Sequence, residues 1–316
     1  MPELRIDPIV GRRVYIAEDR AGRPQDYADA QYVPQRRQDC PFCAGHEYET
    51  PDAVAEINGA DGQWHVRVVP NKYPALADAG PARGVHEVII ESPRHVATVP
   101  ELDESQLARV VVTYRDRLRY CAEQPGLAAG IVFKNSGHHA GASLEHVHSQ
   151  LIATPYVPQL LAEEAAAAAE RFDALGTCPF CDLIASEQKS GVRVIADADG
   201  LLAVTAYAGR QPMESWILPT RHGSDFLAIT DGECAAVARM LLRLTGALER
   251  VAPGAAFNLV LHTAPFEDRG ARSFHWHWEL IPRLSRLAGM ELGGGVHINP
   301  LAPEHAAQKL RAALGA

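Results

Sequence analysis

The residues with the clearest chemical content lie in one stretch, Asn135-Ser-Gly-His-His-Ala-Gly141-Ala-Ser143-Leu-Glu-His146-Val-His148-Ser-Gln150. A strand over 146–153 would turn residues 146, 148 and 150 to one face. His146, His148 and Gln150 are therefore expected in a row. Imidazole is neutral and nucleophilic near pH 7, and its phosphoramidate is reactive enough to be discharged. His148 is expected to be such a nucleophile in phosphoryl transfer. Charge in that transition state spreads onto equatorial oxygens, which fixed uncharged donors stabilise. Gln150 and Ser143 fit that role. Asn135 adds a further donor, and Gly141 lets the backbone come close to the phosphoryl group.

The same order of features occurs twice. Cys-Pro-Phe-Cys stands at 40–43 and again at 178–181. HEVIIESPRH (86–95) is matched by MESWILPTRH (213–222), each with a Glu eight residues before its last His. IVFKNSG (131–137) is matched by LVLHTAP (259–265). His146-Val-His148 is matched by His275-Trp-His277. Structural zinc takes four Cys or His ligands in a tetrahedron, and Cys-x-x-Cys presents two thiolates from one turn. The repeat supplies two histidines for each pair. One site is expected at Cys40, Cys43, His95 and His146, and a second at Cys178, Cys181, His222 and His275. His262 and His277 compete for the second. Cys121 and Cys234 read as buried apolar residues. The second repeat has Glu279 where the first has Gln150. A carboxylate there would repel phosphate, so chemistry is assigned to the first repeat, with Glu279 and His277 expected to pair.

Short β-branched or aromatic runs bounded by Gly, Pro or Asn predict strands at 64–70, 85–91, 129–135, 146–153, 200–206, 214–218, 256–262 and 275–281. Helices are expected at about 101–122, 160–174, 230–251 and 303–314. Ser105-Gln106 opens the first, and the alanine-rich second reads as a plain surface linker. Hairpin-like strand pairs between helices indicate an α+β fold with mainly antiparallel sheets. Two halves are expected, 1–160 and 161–316. A net charge of −9 argues against nucleic acid as a partner. The N-terminal MPELRIDPIVGRRVY lacks a long apolar run, so neither a secretory leader nor a membrane span is expected, and the chain reads as a cytoplasmic enzyme.

FKNSGHHAGASLEHVHSQLIATP resembles the active-site segment of the galactose-1-phosphate uridylyltransferase family, in the histidine-triad superfamily. The resemblance spans nearly the whole chain. RRVYIAEDRAGRP (12–24) is similar to the family's nucleotide-binding arm, which implies phosphate or ribose contacts for Arg20 and Arg23. NKYPAL (71–76) implies that Asn71 and Tyr73 pack on base and ribose. GMELGGGVHINPLAPEHAAQKLR resembles the sugar-binding tail, which implies Glu291 and His297 near the hexose. The resemblance also implies tandem histidine-triad-like halves, ping-pong transfer through a nucleotidylated His148 oriented by the main-chain carbonyl of His146, one or two zinc ions, and a homodimer. The family commonly has His-Pro-His where this chain has His-Val-His.

The expected reaction is uridylyl transfer between UDP-glucose and a hexose 1-phosphate such as galactose 1-phosphate. The glycine-rich tail and doubled Cys-x-x-Cys are closer to the branch with ADP-glucose phosphorylases, which implies adenylyl transfer to inorganic phosphate as the alternative. A zinc-stabilised nucleotide-binding protein without activity, or a redox protein built on Cys-Pro-Phe-Cys, would not need His148, Gln150, Ser143 and Asn135 together.

Overall fold

The computed structural model describes residues 2–22, 40–77 and 79–315, the side chains of 21 and 22 excepted. The elements run β1 (Glu3–Ile6), β2 (Arg13–Ile16), β3 (Ala55–Asn58), β4 (Trp64–Pro70), β5 (Val85–Ile90), α1 (Glu104–Glu123), β6 (Ala129–Ser136), β7 (His148–Thr154), α2 (Gln159–Leu175), α3 (Pro179–Ser190), β8 (Val194–Ala198), β9 (Leu201–Thr205), β10 (Ser215–Pro219), α4 (Asp231–Val251), β11 (Phe257–His262), β12 (His277–Pro282), α5 (Gly289–Gly294), β13 (His297–Asn299) and α6 (Pro303–Leu314). Among them no helix is long and apolar enough to cross a membrane.

Ten strands make one sheet, in the order β3-β4-β5-β7-β6-β11-β12-β10-β9-β8. Its centre is the antiparallel pair β6–β11, where Asn135 faces Asn258 and Phe133 faces Val260. Outward from that seam, β7-β5-β4-β3 on one side is mirrored by β12-β10-β9-β8 on the other. All these pairs are antiparallel, as expected for an α+β fold. A small second sheet joins β1, β2 and β13, the last pair parallel.

Strand alternation separates core from chemistry. Leu151 and Ala153 of β7, and Trp278 and Leu280 of β12, turn to the face covered by α1, α4 and α6 and join the main core. His148 and Gln150, and their counterparts His277 and Glu279, turn to the other face. Each Leu or Ile fully buried in this layer stabilises by about 1.5–3 kcal/mol. A one-residue slip of β7 would expose Leu151 and drive the imidazole of His148 into the core, so packing sets the register.

Most expected elements form, with shifts at their ends. The strand expected at 146–153 begins at His148, so His146 precedes it. Helix α1 starts at Glu104, not at Ser105. Its cap is Asp103, whose carboxylate accepts from the Gln106 N–H at 2.8 Å. Helix α4 is capped by Thr230 and Glu233 in a reciprocal capping box. Helix α3 was not expected. Cys178 is its cap and Pro179 its first residue, where a fixed φ favours helix. Strands β1, β2, β3 and β13, of three or four residues each, are too short for periodicity to mark them.

Candidate active site and metal centres

The first Cys-Pro-Phe-Cys forms a tight turn, with Cys43 N–H donating to the Cys40 carbonyl at 3.3 Å. Sγ of Cys43 lies 3.4 Å from Nδ1 of His95 and 3.7 Å from Nδ1 of His146, and Sγ of Cys40 lies 3.5 Å from the latter. A tetrahedral ion with metal–sulfur bonds of about 2.3 Å and metal–nitrogen bonds of about 2.0 Å separates S and N by roughly 3.5 Å. The spacing and the donor set therefore fit such an ion. Nε2 of His146 donates to the Ser92 carbonyl at 2.8 Å, which puts the ring proton on Nε2 and leaves the Nδ1 lone pair facing the thiols. Burial lowers the His146 pKa to about 4, so the ring is neutral, as a ligand must be.

The second repeat repeats this geometry. Sγ of Cys181 lies 3.4 Å from Nδ1 of His222 and 3.7 Å from Nδ1 of His275, whose Nε2 donates to the Pro219 carbonyl at 2.8 Å. Burial and then the adjoining Cys178 push the Cys181 thiol up to about 12, so the pair resists ionising without a cation beside it. Both expected four-residue sets thus converge, each with its ligand atoms within 4.8 Å of one another.

His148 follows directly on this frame. Its Nδ1 lies 2.7 Å from the His146 carbonyl. A carbonyl only accepts, so Nδ1 carries the proton and the Nε2 lone pair is free. Burial, and then the ammonium of Lys134, lower the His148 pKa, which keeps the ring neutral. The side chain lines a cleft of about 430 Å³, shared with Phe42, Asn71, Tyr73, Ser143 and Gln150. The Phe42 ring packs edge-on against the imidazole, with centroids 5.3 Å apart.

The other expected residues divide. Asn71 and Tyr73 lie on the loop after β4, with the Tyr73 N–H donating to Asn71 Oδ1 at 2.8 Å. Asn135 and Gly141 are not among the residues that line the cleft, although Phe133 pairs with Gln150 and strand alternation puts Asn135 on the same face of the sheet. Gly141 has a left-handed φ of 90°, which a side chain would strain, and a Cβ there would lie 3.8 Å from the Asn135 amide nitrogen. Arg20 is exposed in a short turn away from the cleft lining. Arg23 lies outside the described residues. Glu291, on α5, and His297, on β13, do not reach this cleft. β13 pairs with β2, which packs against Ala208 of the second repeat, and burial, then the guanidinium groups of Arg12 and Arg210, lower the His297 pKa.

The expected pairing of Glu279 with His277 does not form. Arg210 captures Glu279 at 2.6 Å, and His262 lies 3.5 Å from the same oxygen. His277 instead stacks on His262, with centroids 4.6 Å apart, and its Nε2 lies 3.4 Å from Glu164. Glu164 is buried on α2, so that helix is more than a surface linker. Glu164, His262 and His277 form a third group close enough to share an ion. His277 and Glu279, the counterparts of His148 and Gln150, are thus buried in a charge cluster.

Several residues around His148 escape sequence reasoning. Lys134 donates to the His148 carbonyl at 2.9 Å and pairs with Glu91 at 2.7 Å. Tyr114 donates to the same carboxylate at 2.6 Å. His86 lies 2.9 Å from Oε1 of Gln150, and Asn258 donates to Asn135. His86 and Lys134 fall inside quoted segments, but no spacing there marks a role for them. They and Asn258 meet the His148 region because β5, β6, β7 and β11 are neighbours, and Tyr114 joins from α1.

Residues 1–158 match the family model for the N-terminal domain of galactose-1-phosphate uridyl transferase. The chain is 31% identical to ADP-glucose phosphorylase of Arabidopsis thaliana over 329 residues, covering 98% of this chain and 92% of that protein. It is 27% identical to galactose-1-phosphate uridylyltransferase of Thermotoga maritima, covering 98% of each. The crystal structure of the Arabidopsis thaliana ADP-glucose phosphorylase with bound ADP-glucose superposes with a TM-score of 0.88 at 30% identity, covering 98% of both chains. A solved uridylyltransferase structure superposes with a TM-score of 0.77 at 27% identity, covering 100% of this chain and 99% of the other.

Proposed function

Because the chain belongs to the galactose-1-phosphate uridylyltransferase family, whose named members are nucleotidyltransferases, we propose that Nε2 of His148 attacks the α-phosphorus of a nucleotide-sugar. A P–N bond forms as the bond to the sugar 1-phosphate breaks, and the sugar 1-phosphate leaves. A second phosphate compound then takes the nucleotidyl group and frees the imidazole. The observation that carries this reading is the 2.7 Å hydrogen bond from Nδ1 of His148 to the His146 carbonyl, which leaves Nε2 unprotonated at the cleft.

In this reading the Gln150 amide, the Ser143 hydroxyl and the Asn135 amide donate to the phosphoryl oxygens. Gly141 lets the backbone approach them. Asn71, Tyr73 and Phe42 hold the nucleoside. Zinc bound by Cys40, Cys43, His95 and His146 would hold rigid the backbone whose carbonyl orients His148, and Cys178, Cys181, His222 and His275 would do the same for the second repeat. We read residues 1–160 and 161–316 as two halves of which the first is catalytic. Since Glu291 and His297 lie on the second half, a role at the hexose requires a second copy of the chain, in keeping with a homodimer.

The donor we favour is ADP-glucose, with inorganic phosphate as acceptor. It is supported by the higher identity and TM-score with the plant ADP-glucose phosphorylase. The second reading, UDP-glucose with a hexose 1-phosphate, is favoured by the family model and by the relatives named galactose-1-phosphate uridylyltransferase. One experiment separates them. The protein is mixed with each nucleotide-sugar alone, quenched and weighed intact. An AMP adduct from ADP-glucose is expected, absent in His148→Ala and present in His277→Ala. A UMP adduct with no AMP adduct selects the second reading. No adduct with either sugar nucleotide removes the covalent route.

A further inference from the structure

The Gln150 amide is not free to turn. On the cleft face of the sheet, His86 of β5 lies diagonally across from Gln150 of β7, since Val88 pairs with Gln150 and His86 with Ile152. The backbone N–H of Ala75 donates to Nδ1 of His86 at 3.0 Å. A backbone N–H can only donate, so Nδ1 is the accepting nitrogen and the neutral ring carries its proton on Nε2. That Nε2 lies 2.9 Å from Oε1 of Gln150. The Asn71 amide nitrogen, 3.0 Å away, meets a ring nitrogen that is already protonated and cannot accept from it. The His86 carbonyl in turn accepts from the Asn71 N–H at 2.9 Å. His86 is thus tied on one side to the 71–77 loop and on the other to Gln150.

Resting on the reading of Gln150 given above, we propose that His86 is a positioning residue. It holds the Gln150 carboxamide by its oxygen, so that the NH2 end faces the phosphoryl group, and it links that orientation to the loop carrying Asn71 and Tyr73. An amide left free to rotate must give up that freedom to present its nitrogen to a phosphate, and in its other orientation the oxygen repels. Electrostatic stabilisation by fixed dipoles depends on their being aimed before the charge develops.

The test is a double-mutant cycle on the rate of nucleotidyl-adduct formation, measured in a single turnover with whichever sugar nucleotide labels the wild-type protein. Gln150→Ala is expected to slow labelling by about 100-fold or more, the usual loss for one such donor. His86→Leu is expected to slow it by about 10- to 50-fold at saturating nucleotide-sugar, with half-saturation nearly unchanged. His86→Gln, which keeps an N–H donor near the place of Nε2, should recover most of the rate. His86→Leu/Gln150→Ala should be no slower than Gln150→Ala alone. Losses that multiply in the double variant, with Gln150→Ala still slow, overturn the role of His86 and leave Gln150 as read. So does a His86→Leu loss confined to half-saturation, or a His86→Gln variant as slow as His86→Leu with an unchanged melting temperature. Wild-type labelling in Gln150→Ala overturns the reading of Gln150 itself, and the role of His86 with it.

Discussion

Asn258, on β11 in the second repeat, donates from Nδ2 to Oδ1 of Asn135 on β6 in the first, across 2.8 Å. The two are direct partners at the strand pair that joins the repeats. Arg283 donates to Oδ1 of Asn258 at 2.6 Å, and a guanidinium can only donate, so the orientation of Asn258 is set. Asn258 also donates to the Ala140 carbonyl at 2.9 Å, in the loop leading to Ser143. The second repeat thereby holds Asn135 by its oxygen, with its amide nitrogen turned toward Gly141. Asn258→Ala is expected to slow adduct formation by about 10- to 100-fold, the scale of a small misplacement of a catalytic donor. Labelling at the wild-type rate would show that the first repeat needs no such support.

The two Cys-x-x-Cys sites are expected to differ in what their loss does. Elemental analysis should find two zinc ions per chain. Cys40→Ser should lose one ion and slow labelling by about tenfold or more, because His146 orients His148. Cys178→Ser should also lose one ion and lower the melting temperature, yet still label through His148. A third ion per chain, lost in Glu164→Gln, would assign a metal to the charge cluster of the second repeat.

Lys134 and Glu91 are paired at 2.7 Å with almost no solvent access. Removing one member of such a pair leaves an uncompensated buried charge. Lys134→Met should therefore destabilise by about 3–5 kcal/mol in chemical denaturation, while Lys134→Met/Glu91→Leu should recover a large part of that loss. A double variant no more stable than the single one would contradict this.

His262 is expected to give the protein an alkaline limit. Burial alone would lower its pKa, but the carboxylates Glu164 and Glu279 outweigh burial and raise it from 6.5 to about 10. A group raised on folding contributes stability that is complete below its unfolded value and is lost as pH climbs through its folded one. The melting temperature should therefore fall between about pH 6.5 and pH 10. In His262→Gln it should be lower at pH 7 and change less over that interval. Parallel curves for the two proteins would remove the effect.

Much of the site was legible in residue order. The two converging Cys-x-x-Cys sets with their histidines, and His148, Gln150 and Ser143 that line one cleft, could be named because each belongs to a short motif, and because the order of motifs occurs twice. Asn71 and Tyr73 were reachable only through family resemblance. Glu291 and His297 do not line the His148 cleft of the same chain, because β13 adds to β2, which packs against Ala208 of the second repeat.

The sequence by itself determined which atoms can ligate, attack and donate. Those are properties of residue type and short spacing, and strand alternation carries them to one face. Only the tertiary structure decided which of those atoms are aimed. His86 reaches Gln150 and Asn258 reaches Asn135 across strands far apart in the chain, and Lys134 reaches the His148 carbonyl across the neighbouring pair β6–β7. The order β5-β7-β6-β11 that brings them together is set by burial of the opposite face, and no local pattern of residues encodes it.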